Sequence, residues 1–430
     1  MIYCWRLGAD TLIGAGTSSA WQSCASAIHS STSDHMPRLA QMREPHLVYE
    51  DVHTGRNLLS CDSWATPGVR PLYDSWVHHQ LAQHWPTHAV ADRPRQYVYA
   101  MGCFHNPSQW AQDPLSHLPP TVLRDAQQGR VLLIFDQSQE GNADTELWSW
   151  FYRTADRYAI DPQCVVYLTG DAQAEDSHIS HCEINGINRS IHVLSTLFNL
   201  HITVHRLRSQ GQEPRTHHGP RTALFNCLNR MPHEHRKWLF LMLREQGLVE
   251  HNLVSMPEFD SVQALPDATR FDPRLWTGAQ LPLRVDDVDL SENLFNNLNT
   301  DIYDRSWFTV ITETYVDDGQ MLIGEKVFKP MLCGSPFMIL SSRHTLAKLR
   351  QLGFETFGLL WDESYDHMDV VPRMRAIVHE IKQLSRLNNP SEHFASAQSV
   401  IAHNQQLAWQ PWELSRDYQR IVAIWQDFVA

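Results

Sequence analysis

The chain has 430 residues, 43% of them hydrophobic, which is longer than a single core usually grows and sets an expectation of two domains. With 48 acidic against 35 basic residues the formal net charge is −13, which argues against a protein that wraps nucleic acid through bulk charge. The eight cysteines are scattered singly with no C-x-x-C pair, and there is neither a basic leader nor a window of about 18 uninterrupted apolar residues. The expectation is a soluble, cytoplasmic chain with reduced thiols and no membrane span.

Taken in order, residues 2–7 read as a strand and are followed by a Ser/Thr/His-rich stretch to about residue 35. Residues 36–95 are dense in Pro, His and Trp with a short helical pattern over 74–84, so 8–95 is expected to be an irregular insertion. From residue 96 the period sharpens. QYVYAMG is a strand, 120–128 a helix, and RVLLIFDQSQEG a buried strand running into a polar loop. A helix over 144–158 carries Trp148, Phe151 and Tyr152, and CVVYLTGDA is a strand ending in a Gly-Asp turn. The spacing then predicts a helix over 190–199 and a strand over HITVHRL, completing a Rossmann-like domain over 1–210. The polar loops after Phe135 and Leu168 fall at strand carboxyl ends, where parallel sheets bind ligands.

Residues 208–220, rich in Gly and Pro, are the expected linker. A second domain is predicted over 221–394. TALFNCLN is its first strand, a helix follows with Trp238, Leu239, Leu241 and Met242 on its apolar side, and HNLVSM is the next strand. Residues 257–301 read as an acidic insertion with short elements at most. Beyond it the order is β-α-β-α: a strand over 307–314, a helix over 323–333 closed by Gly334, a strand over 336–340, and a helix over 344–351 capped by Ser342. An amphipathic helix covers 370–387. Residues 395–430 add two helical segments bearing Trp409, Trp412, Trp425 and Phe428. The predicted class is α/β, with two Rossmann-like domains facing a cleft.

Glu325 and Lys326 fall in the first turn of a helix that follows a strand. Such an N-terminus offers N–H groups to an anion, Lys326 adds a point charge for phosphate, and Glu325 can accept from a ribose diol. That is the outline of a nucleotide-diphosphate site. The run from Glu313 through E-K-x-F-K-P, Gly334 and the P-F strand resembles the sugar-nucleotide half of GT-B glycosyltransferases, and among them the fucosyltransferase-like group, whose motif ends in T-E-K. Gly324 stands where that motif has threonine, and the loop 316–323 differs in length, so neither nucleotide nor sugar carries over. The resemblance extends to residues 222–247 and to G-F-E-T-F and W-D-E-S-Y-D, roughly the last half of the chain.

What the resemblance implies is a glycosyltransferase that moves a sugar from a nucleotide-diphosphate sugar to a hydroxyl acceptor without a metal or other cofactor. Arg230 and Lys326 would hold the diphosphate, Glu325 the ribose, and Glu313 would line the donor pocket. The helices of 395–430 would cross back onto the first, acceptor-side domain. His235 and Arg236, which open the following helix, could add donors; the bland alternatives are a surface ion pair for Arg230, a structural bond to backbone N–H groups for Glu313, and an ordinary solvated first turn for His235 and Arg236.

Inversion at the anomeric carbon needs a base from the first domain. Glu140, followed by Gly141, is the first choice, with Asp136 and Asp171 as the others; each could instead cap the next helix, and a retaining reaction needs none of them. No metal site is expected: Asp287-Val288-Asp289 is a bare D-x-D, and His178, His181, Cys182 and Glu183 cluster without zinc-site spacing. Phosphate-loop and nucleophile-elbow motifs are absent. The acceptor is open between a saccharide and a hydroxylated DNA base, and the rival class is a catalytically silent nucleotide-binding protein of the same fold.

Overall fold

The computed structural model describes residues 47–49, 76–102, 115, 118–138, 141, 145–214, 220–267, 269–285, 298–317 and 319–430. They form a mixed α/β molecule with two wholly parallel sheets. The first has six strands in the order β2-β1-β3-β4-β5-β6, where β1 is Leu47–Tyr49, β2 Thr87–Ala89, β3 Tyr97–Gly102, β4 Val131–Gln137, β5 Val165–Thr169 and β6 His192–Ser195. Every residue of β4 and β5 is buried, because helices cover both faces, and this is why VLLIFDQ reads as an unbroken apolar run. Their register sets Phe135 against Tyr167 and Gln137 against Thr169.

One face of this sheet packs on α2 (Pro120–Gln127), α3 (Thr145–Arg157) and α4 (Ala174–Asn185) around Trp148, Phe151 and Tyr167. The other face is covered by α1 (Trp76–Leu81) and by residues from the end of the chain, with Val77, Leu81, Trp412, Ile421 and Trp425 in one cluster. Two polar contacts pin that terminus: Arg420 pairs with Glu175 at 2.6 and 2.8 Å, and Asp417 lies 3.0 Å from His201 while accepting from Leu197 N–H at 2.8 Å.

The second sheet has four strands in the order β10-β9-β7-β8, with β7 Ala223–Leu228, β8 Leu253–Ser255, β9 Ser306–Thr312 and β10 Phe337–Leu340. Two short helices, α7 (Arg274–Thr277) and α8 (Thr300–Arg305), precede β9, and the core joins Phe225, Phe308 and Phe337 of the strands to Leu241 of α6 (Glu234–Glu245) and Phe328 of α9 (Glu325–Leu332), the helix that follows β9. Gly334, at φ +68°, turns the chain out of that helix in the left-handed conformation that favours glycine.

Three expectations are corrected. The order over 190–209 is reversed: residues 192–195 are the strand and Phe198–Ser209 is a helix, α5. α5 is buried nearly all round, with Leu200, Val204 and Leu207 in the core of the second half, so it lacks a polar stripe and its β-branched HITV imitates a strand. Residues 8–95 are not all irregular insertion, because β1 and β2 extend the sheet. Ser342 does not cap α10 (Thr345–Gln351); the Asp366 carboxylate accepts from Leu346 and Ala347 N–H at 3.0 and 3.1 Å, while Ser342 Oγ donates to the Gln320 carbonyl at 2.6 Å. The strand expected at 2–7, Glu140 and the D-x-D pair lie outside the described residues. Among the described residues no helix is long and apolar enough to cross a membrane.

Candidate functional site

The carboxyl ends of β7 and β9 meet the start of α9 (Glu325–Leu332), and buried polar side chains fix this edge. Asn229, just after β7, accepts from Thr312 Oγ1 at 2.7 Å, and its own N–H donates to Ser255 Oγ at 2.9 Å. The turn leading to Arg230 is thereby tied to both neighbouring strands.

Glu313 follows β9 directly and is fully buried. Its Oε1 accepts from Gly324 N–H at 2.9 Å and its Oε2 from Lys326 Nζ at 3.3 Å. A Cβ on Gly324 would sit 3.0 Å from both carboxylate oxygens, so this backbone approaches more closely than a side chain would comfortably permit. The glycine at the threonine position of the resembled motif therefore has a local cause. Lys326 Nζ also lies 3.7 Å from Glu325. Burial disfavours the ammonium, but the charges of Glu313 and Glu325 outweigh it and hold the Lys326 pKa above its ordinary value. For Glu325 burial is likewise opposed, by Lys326, Lys329, its own N–H and Arg236, and its pKa is lowered.

His235 and Arg236 are not a solvated first turn. Both are buried, and both reach the backbone of the Glu313 segment. His235 Nε2 donates to the Glu313 carbonyl at 2.9 Å, and burial followed by the Arg236 charge pushes its pKa down to about 3, so the ring is neutral. Arg236 donates to the carbonyls of Met231 and Thr312 at 3.2 Å and of Glu313 at 3.3 Å, while its Nε has no partner. Burial lowers its pKa, and Glu313 and Glu325 oppose that. Lys329, one turn beyond Lys326, has a lowered pKa from burial together with the nearby charges of Lys326 and Arg230. Four cations, Arg230, Arg236, Lys326 and Lys329, thus share one edge with two carboxylates, and Lys326 keeps a quarter of its side chain exposed.

Glu313, Glu325, Lys326 and Arg230 are brought to one place. Glu313 and Glu325 occupy donors that the sequence assigned to a diphosphate. Lys329 was missed as a member of the site, and Arg236 was named as a further donor but weighed behind a solvated first turn. The second lysine of E-K-x-F-K-P was a usable signal, since positions three apart share a helix face; for Arg236 nothing in the sequence distinguished a buried guanidinium from a surface one.

The first-domain candidates stand apart. Asp136 is buried and accepts from Val77 N–H at 3.1 Å and from Ser138 N–H and Oγ at 3.1 and 2.5 Å, so it ties β4 to α1. Asp171 is fully buried, and its Oδ1 accepts from Gln173 N–H at 2.9 Å and from Met321 N–H at 3.3 Å. Burial raises its pKa, opposed by those two bonds and by Lys348. Neither carboxylate is presented to solvent as a base. A separate group on α3 and α4 joins Tyr152, His178 and Cys182 at 2.8 to 3.4 Å; burial pushes the His178 pKa down to about 4. Among the described residues no three His, Cys, Asp or Glu side chains form a metal-binding group.

No family model matches this chain, and no curated protein is significantly similar to it.

Proposed function

We propose that the edge formed by β7, β9 and α9 binds the diphosphate of a nucleotide sugar, and that the protein is a metal-independent glycosyltransferase with a GT-B-like arrangement of its two halves. The observation that carries this reading is the gathering, among the described residues, of Arg230, Arg236, Lys326 and Lys329 with Glu313 and Glu325 at one strand-end site, in a chain whose net charge is −13. A dianionic diphosphate would be met there by charge-assisted bonds from Lys326 and Arg230. Lys326, partly exposed like Arg230 and Lys329, makes the first contact. Glu325 is placed to turn from Lys326 to a ribose diol as phosphate takes over the ammonium. The sugar is passed to a hydroxyl acceptor held by the first half.

A second reading has its own support. Asp136 and Asp171 are committed to backbone N–H groups within the fold, which favours a silent nucleotide-binding protein unless another group takes the acceptor proton. Incubating the protein with UDP-, GDP- and CMP-linked sugars and following release of free nucleotide separates the two. Release with a particular sugar nucleotide, lost in Lys326→Ala, supports transfer or its hydrolytic side reaction. Tight binding with no release under any acceptor supports the silent fold.

A further inference from the structure

Asp171 is fully buried where the two halves meet, and its contacts run across that junction. Its Oδ1 takes the Met321 N–H at 3.3 Å, the next amide, Ala172 N–H, donates to the Met321 carbonyl at 2.7 Å, and Asp171 and Leu322 form an isolated antiparallel bridge. The Ala172 side chain lies in the core of the second half. Gly141 also packs against this residue, since a Cβ there would lie 3.4 Å from Asp171 Cβ. Asp171 Oδ2 is buried without a hydrogen-bond partner. A buried carboxyl with one oxygen unpaired is costly, so the residue is poorly explained as filler.

Met321 stands three residues before Gly324, in the loop that delivers Gly324, Glu325 and Lys326 to Glu313. Within its own half that loop is tied through the Gln320 carbonyl to Ser342. We infer that Asp171 is a positioning residue: from the first half it holds the loop segment over 319–324 in register, so that the cation edge is correctly formed only while the halves are docked. The significance for ligand binding rests on the diphosphate reading above; the holding of the loop does not. Lys348 of α10, 3.6 Å from Asp176 of α4, bridges the halves near the same place and supports the docked arrangement.

Hydrogen exchange of the full chain, read by mass spectrometry in wild type, Asp171→Ala and Asp171→Asn, tests this directly. Asp171→Ala removes the acceptor and should raise exchange over 319–324 by roughly tenfold, whereas Asp171→Asn keeps an oxygen in the Oδ1 place and should restore protection. Affinity for UDP and GDP, used as probes, should fall in Asp171→Ala and recover in Asp171→Asn. A general base would behave oppositely, with turnover lost in both variants and exchange unchanged. Unchanged exchange over 319–324 in Asp171→Ala overturns the inference. If that variant loses protection throughout, residue-resolved exchange in wild type decides: the amides of Ala172 and Met321 should share one opening rate, and rates differing by more than about tenfold would contradict a single bridge. Failure of wild type to bind either nucleotide would remove the diphosphate reading and leave the exchange result to judge the loop.

Discussion

The carboxyl edges of the two sheets begin from similar sequence material, a buried strand ending in polar residues, and put it to different uses. In the first half Asp136 and Asp171 turn inward and accept backbone N–H groups, and the edge is closed by α1 and by the second half's loop. In the second half Glu313 also turns inward, but its partners are a helix-leading glycine and a lysine that stays partly exposed, beside three further cations. A carboxylate at a strand end therefore says little by itself. What distinguishes a structural edge from a ligand edge is whether charge remains after the internal bonds are counted.

The contrast can be broken most severely at Arg236. Arg236→Met leaves the Glu313 carboxylate with less compensation and takes one donor from each of three buried carbonyls, of which Glu313 keeps His235, and should lower stability by about 3–5 kcal/mol in a urea titration. A loss near zero would mean that the guanidinium is dispensable to the edge. Next in size is Lys326→Ala, which should weaken nucleoside diphosphate binding by roughly tenfold to a hundredfold, whereas Asp136→Asn should leave that binding unchanged. Equal effects of the two would erase the distinction between the edges.

The close approach of Gly324 to Glu313 supplies a sharper probe. Gly324→Ala should cost about 1–2 kcal/mol through crowding of the carboxylate, and the cost should shrink in a Glu313→Ala background; strict additivity would show that the 3.0 Å approach is not felt. An effect of similar size concerns acid. His178, with a folded pKa of about 4 against an ordinary 6.5, stays neutral in the fold while the unfolded chain takes up a proton. Its contribution is thus complete above pH 6.5 and is lost as pH falls toward 4, amounting to about 2 kcal/mol at pH 5. Denaturation of wild type and His178→Gln at pH 7 and 5 should show the steeper loss in wild type.

Much of the fold was legible where burial and period agreed. The strands at 97–102, 131–137, 165–169, 223–228 and 337–340 and the helix at 370–384 stand close to where the apolar pattern puts them. α5 was misread because a helix enclosed by two halves has no exposed stripe, and its Ile202, Thr203 and Val204 carry strand propensity that tertiary packing overrides. β1 and β2 were missed because three-residue strands leave no period to detect. Around the candidate site, chain proximity made Glu313, Glu325 and Lys326 readable together. The bond from Asp171 to Met321 spans 150 residues, and no local pattern announces such a contact.

The central claim is that the β9–α9 edge takes a diphosphate. Isothermal titration of wild type and Lys326→Ala with UDP, GDP and CDP at fixed ionic strength measures it most directly. The account predicts saturable one-to-one binding of at least one of them, weakened in Lys326→Ala. Binding that is the same in both proteins, or no binding of any nucleoside diphosphate to wild type, would contradict it.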